Sequence, residues 1–105
     1  MVITHLATFT RSASKLLSEL DVFDLELALV LKPEAGDVIP GGRGLRKLRR
    51  PHAGRGKSGG ARVIYYYVAG DSRIYLVFVY AKNRQADLTK VQLTVLAEYV
   101  ATQVP

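Results

Sequence analysis

Residues 61–81 run ARVIYYYVAGDSRIYLVFVYA. The two apolar runs, 61–69 and 73–81, are rich in β-branched and aromatic residues, and Gly70, Asp71 and Ser72 join them over a hairpin-length turn. Both runs are apolar on nearly both faces, which places this hairpin at the centre of a sheet.

Working outward, GLRKLRR (44–50) is a short strand anchored by Leu45 and Leu48. It is separated from the hairpin by PHAGRGKSGG (51–60), whose glycines and proline predict an exposed loop. After the hairpin, Thr89 heads a helix: Gln92 completes a capping box and Leu88 staples to Leu93. The core stripe of that helix is expected at Leu93, Leu96 and Val100, widened by Val91 and Val95.

Upstream, VITHLATF (2–9) is expected as a first strand, and Thr10 or Ser12 caps a short helix over RSASKLLS (11–18). Ser18 heads a second segment, with Asp21 three residues on as a weak capping box. Here two periods compete. Leu25, Leu27, Leu29 and Leu31 alternate as in a strand, whereas Leu16, Leu20, Phe23, Leu27 and Val30 follow helical spacing. The length of the apolar pattern and its Leu, Glu, Ala and Lys content favour a helix, ended by Pro33. PEAGDVIPGG (33–42) is a loop. The order is strand, two helices, three strands and a last helix. This is a single α+β domain over residues 1–105, with helices against an antiparallel-rich sheet.

The 105 residues suffice for one core without staples, and there is no cysteine, which excludes disulfides and thiolate metal sites. No signal peptide is visible, and the apolar runs are too short to cross a bilayer as helices. A soluble cytoplasmic protein is expected.

The net charge of +6 conceals a stronger asymmetry. Eight of the fifteen basic residues lie in positions 43–62, with no acid from position 38 to 70, while six acids fall in positions 19–37. Such a polarised surface favours a polyanion on one side, either a phosphate backbone or an acidic protein segment.

The catalytic inventory is thin. His5 is expected to be structural, and His52 is either a solvated loop residue or a proton carrier. No carboxylate pair stands out, so metal-assisted hydrolysis has no visible ligand set, and no cofactor is called for. GRGKSGG (54–60) contains Gly-Lys-Ser, but the leading glycine of a P-loop is absent and a strand follows where that motif needs a helix.

RNA brings its own nucleophile, the 2′-hydroxyl. A site that uses it must align that oxygen, stabilise the phosphorane and manage two protons. Arg holds phosphate bidentately, and Lys acts as a point charge or proton carrier, which makes Lys57 and Lys82 acid–base candidates. Arg62, at the head of the central hairpin, is placed to hold phosphate, and the alternative is that all of these are solvated charges. Tyr65, Tyr66 and Tyr67 could stack on a base but are more often core, whereas Tyr80, just before Lys82, is the better site candidate.

The segments GLRKLRR, GKSGGARVIYYY and VYAKN, with the closing helix, resemble the HigB/RelE family of toxins from bacterial type II toxin–antitoxin systems over about residues 9–100. The resemblance implies a RelE-like, barnase/microbial RNase-like fold: a twisted antiparallel-rich sheet with two N-terminal helices and a C-terminal helix. It implies an mRNA interferase, cutting messenger RNA in the ribosomal A site to leave 2′,3′-cyclic phosphates. Expected partners are the ribosome, mRNA and a cognate antitoxin with a DNA-binding helix-turn-helix domain. Lys57, Arg62 and Lys82 lie where the family places basic active-site residues. Lys47, Arg49 and Arg55 match its RNA-contacting positions, and Arg43, Arg46, Arg50 and Arg84 join them as RNA-binding candidates. The chain lacks the Tyr that some RelE proteins carry shortly after the last strand; Arg84 and Gln85 follow instead, which leaves the general base unassigned. A non-catalytic RNA- or ribosome-binding module is the alternative.

Overall fold

The computed structural model describes residues 1–51 and 60–105. The central hairpin forms as its composition predicts: β4 (Ala61–Val68) pairs antiparallel with β5 (Arg73–Ala81), numbering strands in chain order. Its connection is a 3-10 turn over Ala69–Asp71 closed by Ser72 in the left-handed region, φ 49°. Around it are β1 (Val2–His5), α1 (Ala7–Leu16), α2 (Glu19–Leu31), β2 (Asp37–Val38), β3 (Leu45–Arg50) and α3 (Lys90–Gln103). The five strands lie in the order β1-β5-β4-β3-β2, antiparallel except for β1 beside β5.

The sheet is covered on both faces. Phe9, Ala13, Leu25 and Leu29 of α1 and α2 pack on Ala61, Val63, Tyr65 and Val79. Leu96, Ala97 and Val100 of α3 pack on the other face, over Leu45, Ile64, Val77 and Tyr80. No helix among the described residues is long and apolar enough to cross a membrane.

Four expectations are corrected. The first strand stops at His5 and α1 begins at Ala7, because β1 pairs only with residues 73–76 of β5. Beyond them the edge of β5 is closed by α1: Thr8 Oγ1 donates to Val77 O, and Val79 N–H donates to Ser12 Oγ at 3.0 Å. A two-residue strand, β2, lies inside the supposed loop and pairs with Arg46 and Lys47. Finally, α2 is helical with a full Ser18–Asp21 capping box, but its core face is Leu25 and Leu29 with Val22. Leu20, Phe23, Leu27 and Val30 are exposed. The helix is apolar nearly all round, so helical spacing occurs on more than one side and cannot say which side is inward. Likewise Leu96 and Val100 of α3 are buried as expected, but Val91 and Val95 are exposed.

Candidate active site and nucleic-acid face

Strand alternation sorts the basic residues of β3. Leu45 packs under α3 and Leu48 under α1 and α2, so Lys47 and Arg49 share the α3 face while Arg46 and Arg50 point the other way. On β4 the same alternation puts Arg62 with Ile64 on the α3 face. The register then aligns Arg49, Arg62 and Tyr80 across three adjacent strands, each about 5 Å from the next. Lys47 stands one pleat along, opposite Ile64.

An irregularity in β5 makes this alignment. The pairing slips between Ile64 and Tyr65, which are opposite Phe78 and Leu76, so Val77 is an extra residue. Tyr75 and Val77 face α3; regular alternation from them would turn Tyr80 towards α1 and α2. The bulge reverses that parity, and Tyr80 joins the α3 face beside Arg62.

Tyr80 is buried, and its hydroxyl donates to Asp87 Oδ1 at 3.5 Å. Burial pushes the phenol up to about 12; the Asp87 charge adds to this and the Arg62 guanidinium opposes it. Asp87 also accepts from Lys47 Nζ at 3.2 Å and from Leu88 N–H at 3.0 Å. Burial raises its pKa, but the hydrogen bonds from Lys47 and Leu88 and the Lys47 charge outweigh it and hold the carboxyl below its ordinary value. Gln85 Nε2 donates to Asp87 O at 2.8 Å and to Gln92, the capping residue of α3. The helix start thereby fixes the loop that carries Asp87. Arg62 is 7% exposed, and its Nη1 donates to Ala61 O at 3.4 Å.

Lys82 is half-buried just beyond β5, and its amide donates to Gly60 O at 3.0 Å. Gly60 has φ +66°, and a Cβ there would stand 2.3 Å from Arg50 O, so this corner between β3 and β4 requires glycine. Arg84 lines a cleft of about 440 Å³ between α1 and the end of β5, together with Lys15, Ser12, Asn83 and Tyr80.

The other candidates stand apart. Arg46 Nη1 donates to Gly36 O at 2.8 Å and its Nη2 pairs with Glu34 at 3.8 Å, so it ties down the segment after α2 on the α1–α2 face. Arg50 lies opposite Ala61 on that same face. Arg43, exposed with φ 54°, lies near Tyr66 and Val100 at the far end of β3. Lys57, Arg55 and His52 lie outside the described residues. Tyr65 is core: its hydroxyl donates to Pro33 O at 2.7 Å and accepts from Gly36 N–H at 2.8 Å. His5 Nε2 bonds Glu26 Oε2 at 2.7 Å and its ring packs edge-on against Phe9, linking β1 to α2. Asp87 is the residue that sequence reasoning missed. Its signal was an acid two residues before a capping threonine, just past a cationic strand end.

The site thus offers two guanidiniums, an ammonium, a protonated phenol and one carboxylate that positions two of them. Such a set has the chemistry to hold a phosphodiester and to stabilise added negative charge on it. The family model described as the RelE toxin of the RelE/RelB toxin–antitoxin system matches residues 6–104. Among solved structures, a mutant of the E. coli toxin RelE in the free state is similar with a TM-score of 0.60 and 13% identity, over 94% of this chain and 95% of that one.

Proposed function

The chain belongs to the RelE toxin family, and on that footing we propose that it is a ribosome-dependent endoribonuclease that stops translation and is neutralised by a cognate antitoxin. The observation that carries the proposal is the row Arg49, Arg62 and Tyr80 on one face of the sheet, with Lys47 and Asp87 beside it. In the proposed reaction the ribose 2′-hydroxyl attacks the adjacent phosphorus in line with the departing 5′-oxygen, forming a 2′,3′-cyclic phosphate and a 5′-hydroxyl end. Arg49 and Arg62 hold the non-bridging oxygens and take up the charge of the phosphorane. The Tyr80 phenol stays protonated at neutral pH, and on RNA binding its single proton turns from the long bond to Asp87 to the same group. Asp87 keeps Lys47 and Tyr80 in place. Lys57 and Lys82 are assigned to proton transfer and Arg55 and Arg84 to the RNA backbone. No step calls for a metal. The antitoxin would cover the same cations with an acidic segment, and its association should slow with salt.

The test is to induce the protein in cells and map mRNA 5′ ends, for the parent chain and for Arg62→Ala, with folding checked by circular dichroism. New codon-associated ends are expected with the parent and not with a folded Arg62→Ala. Equal cleavage by both would remove Arg62 from the site. Growth arrest by the parent without new ends would favour the non-catalytic ribosome-binding module.

A further inference from the structure

We propose that the outward face of α2 is a docking surface for an amphipathic protein helix whose apolar stripe is bordered by Lys and Arg. Leu20, Phe23, Leu27, Val30 and Leu31 are 67%, 60%, 48%, 48% and 77% exposed, and all lie on the side of α2 opposite its buried Leu25 and Leu29. Single exposed leucines are ordinary; five contiguous large apolar side chains on one helix face are not. A helix apolar nearly all round is normally covered all round, and here the outer side is open among the described residues.

Charge selects the occupant. At about 100° per residue, Asp24 borders one edge of the stripe and Glu19 and Glu26 the other. A second copy docked by two-fold symmetry would set these acids against their own counterparts. An anionic membrane or RNA surface meets the same repulsion, and membrane-surface helices carry Lys and Arg at this position instead. A helix with basic flanks satisfies both the stripe and its borders, and the 3-4 spacing of Leu20, Phe23, Leu27 and Val30 offers a ridge about 15 Å long for helix packing. The surface lies across the sheet from Lys47, Arg49, Arg62 and Tyr80, so an occupant leaves the RNA face open.

The probes are three labelled helical peptides titrated into the full chain. One has leucines at 3-4 spacing with Lys flanks, one has Glu for Lys, and one has Ser for Leu. The Lys-flanked peptide should bind at least ~10-fold tighter than either other. Glu19→Lys with Asp24→Lys should invert the preference between Lys and Glu flanks. Phe23→Ser with Leu27→Ser should abolish binding without unfolding, since both side chains are exposed. Equal affinity for Lys and Glu flanks, or binding that survives Phe23→Ser with Leu27→Ser, overturns the proposal. So does a dimer in sedimentation that this double variant dissolves, or an association of the parent with anionic vesicles that the double variant abolishes. Arg62→Ala should bind the Lys-flanked peptide like the parent, so a failure of the nuclease assignment and a failure of this one are read separately.

Discussion

Tyr80 and Asp87 titrate in opposite senses, and each makes a separate prediction. Burial first, then the Asp87 charge, push the Tyr80 phenol up to about 12. The unfolded chain loses that proton near pH 10. Between about pH 10 and 12 the folded state therefore holds a proton that the unfolded state has released, and stability falls as pH rises. Tyr80→Phe should flatten this alkaline loss by on the order of 1–3 kcal/mol, read from urea unfolding at stepwise pH. Tyr65, also pushed up by burial, contributes in the same sense to both proteins and cancels in the comparison. At neutral pH, cleavage by Tyr80→Phe should drop about 100-fold if the phenol donates to the phosphorane. Asp87 contributes stability above the ordinary carboxylate range that is lost as pH falls through its depressed folded value. Its carboxylate is 67% exposed, so that contribution is small. The stronger expectation concerns its neighbour: Asp87→Asn should lower the Tyr80 pKa, seen as earlier tyrosinate absorbance in an alkaline titration. An unchanged titration would mean that Asp87 does not act on the phenol.

At the scale of elements, the two capping boxes allow a controlled comparison. Ser18 starts α2 and Thr89 starts α3, each with reciprocal bonds to the residue three positions on. Ser18→Ala and Thr89→Ala should each cost about 1 kcal/mol in thermal or urea unfolding. Only Thr89→Ala should also reduce cleavage, by about 10-fold, because the Thr89 hydroxyl that it removes accepts from the N–H of Gln92, whose side chain accepts from Gln85, which holds the Asp87 backbone. Equal activity losses would break the link between the helix start and the site. Both boxes were legible in the sequence, since a cap is a local pattern of side chain and backbone. The bulge at Val77 was not. Every residue from Ile74 to Tyr80 is apolar or aromatic, so no polar marker shows where the pairing slips. The slip lies where α1 bonds the edge of β5, at Val77 and Val79, from residues some seventy positions away in sequence. The inward side of α2 was hidden for a related reason: apolar residues surround the helix, and only contact with the sheet chooses Leu25 and Leu29.

Across the whole molecule, the charge clustered in one stretch of sequence is divided between two faces of the sheet. In LRKLRR every basic residue looks equivalent, and the cluster itself was evident from composition. The division comes from the pleat, because Leu45 and Leu48, three apart, enter opposite cores and carry their alternate neighbours with them. Arg46 was consequently grouped with RNA-binding residues although its guanidinium holds Gly36 O and Glu34. Arg49 is exposed on the α3 face opposite Arg62. The two arginines should therefore fail differently. For single-stranded RNA, affinity falls with salt at a logarithmic slope of about −0.7 per neutralised phosphate. Arg49→Ala should make that slope shallower by roughly 0.7 with little change in stability. Arg46→Ala should leave the slope as it is and lose roughly 1–3 kcal/mol of stability, because the donor to the carbonyl of buried Gly36 is removed. Measured by salt titration of an RNA oligonucleotide together with urea unfolding, the pair separates binding from folding. A shallower slope in Arg46→Ala would place RNA on both faces of the sheet, and the assignment of the α3 face as the nucleic-acid surface would fall.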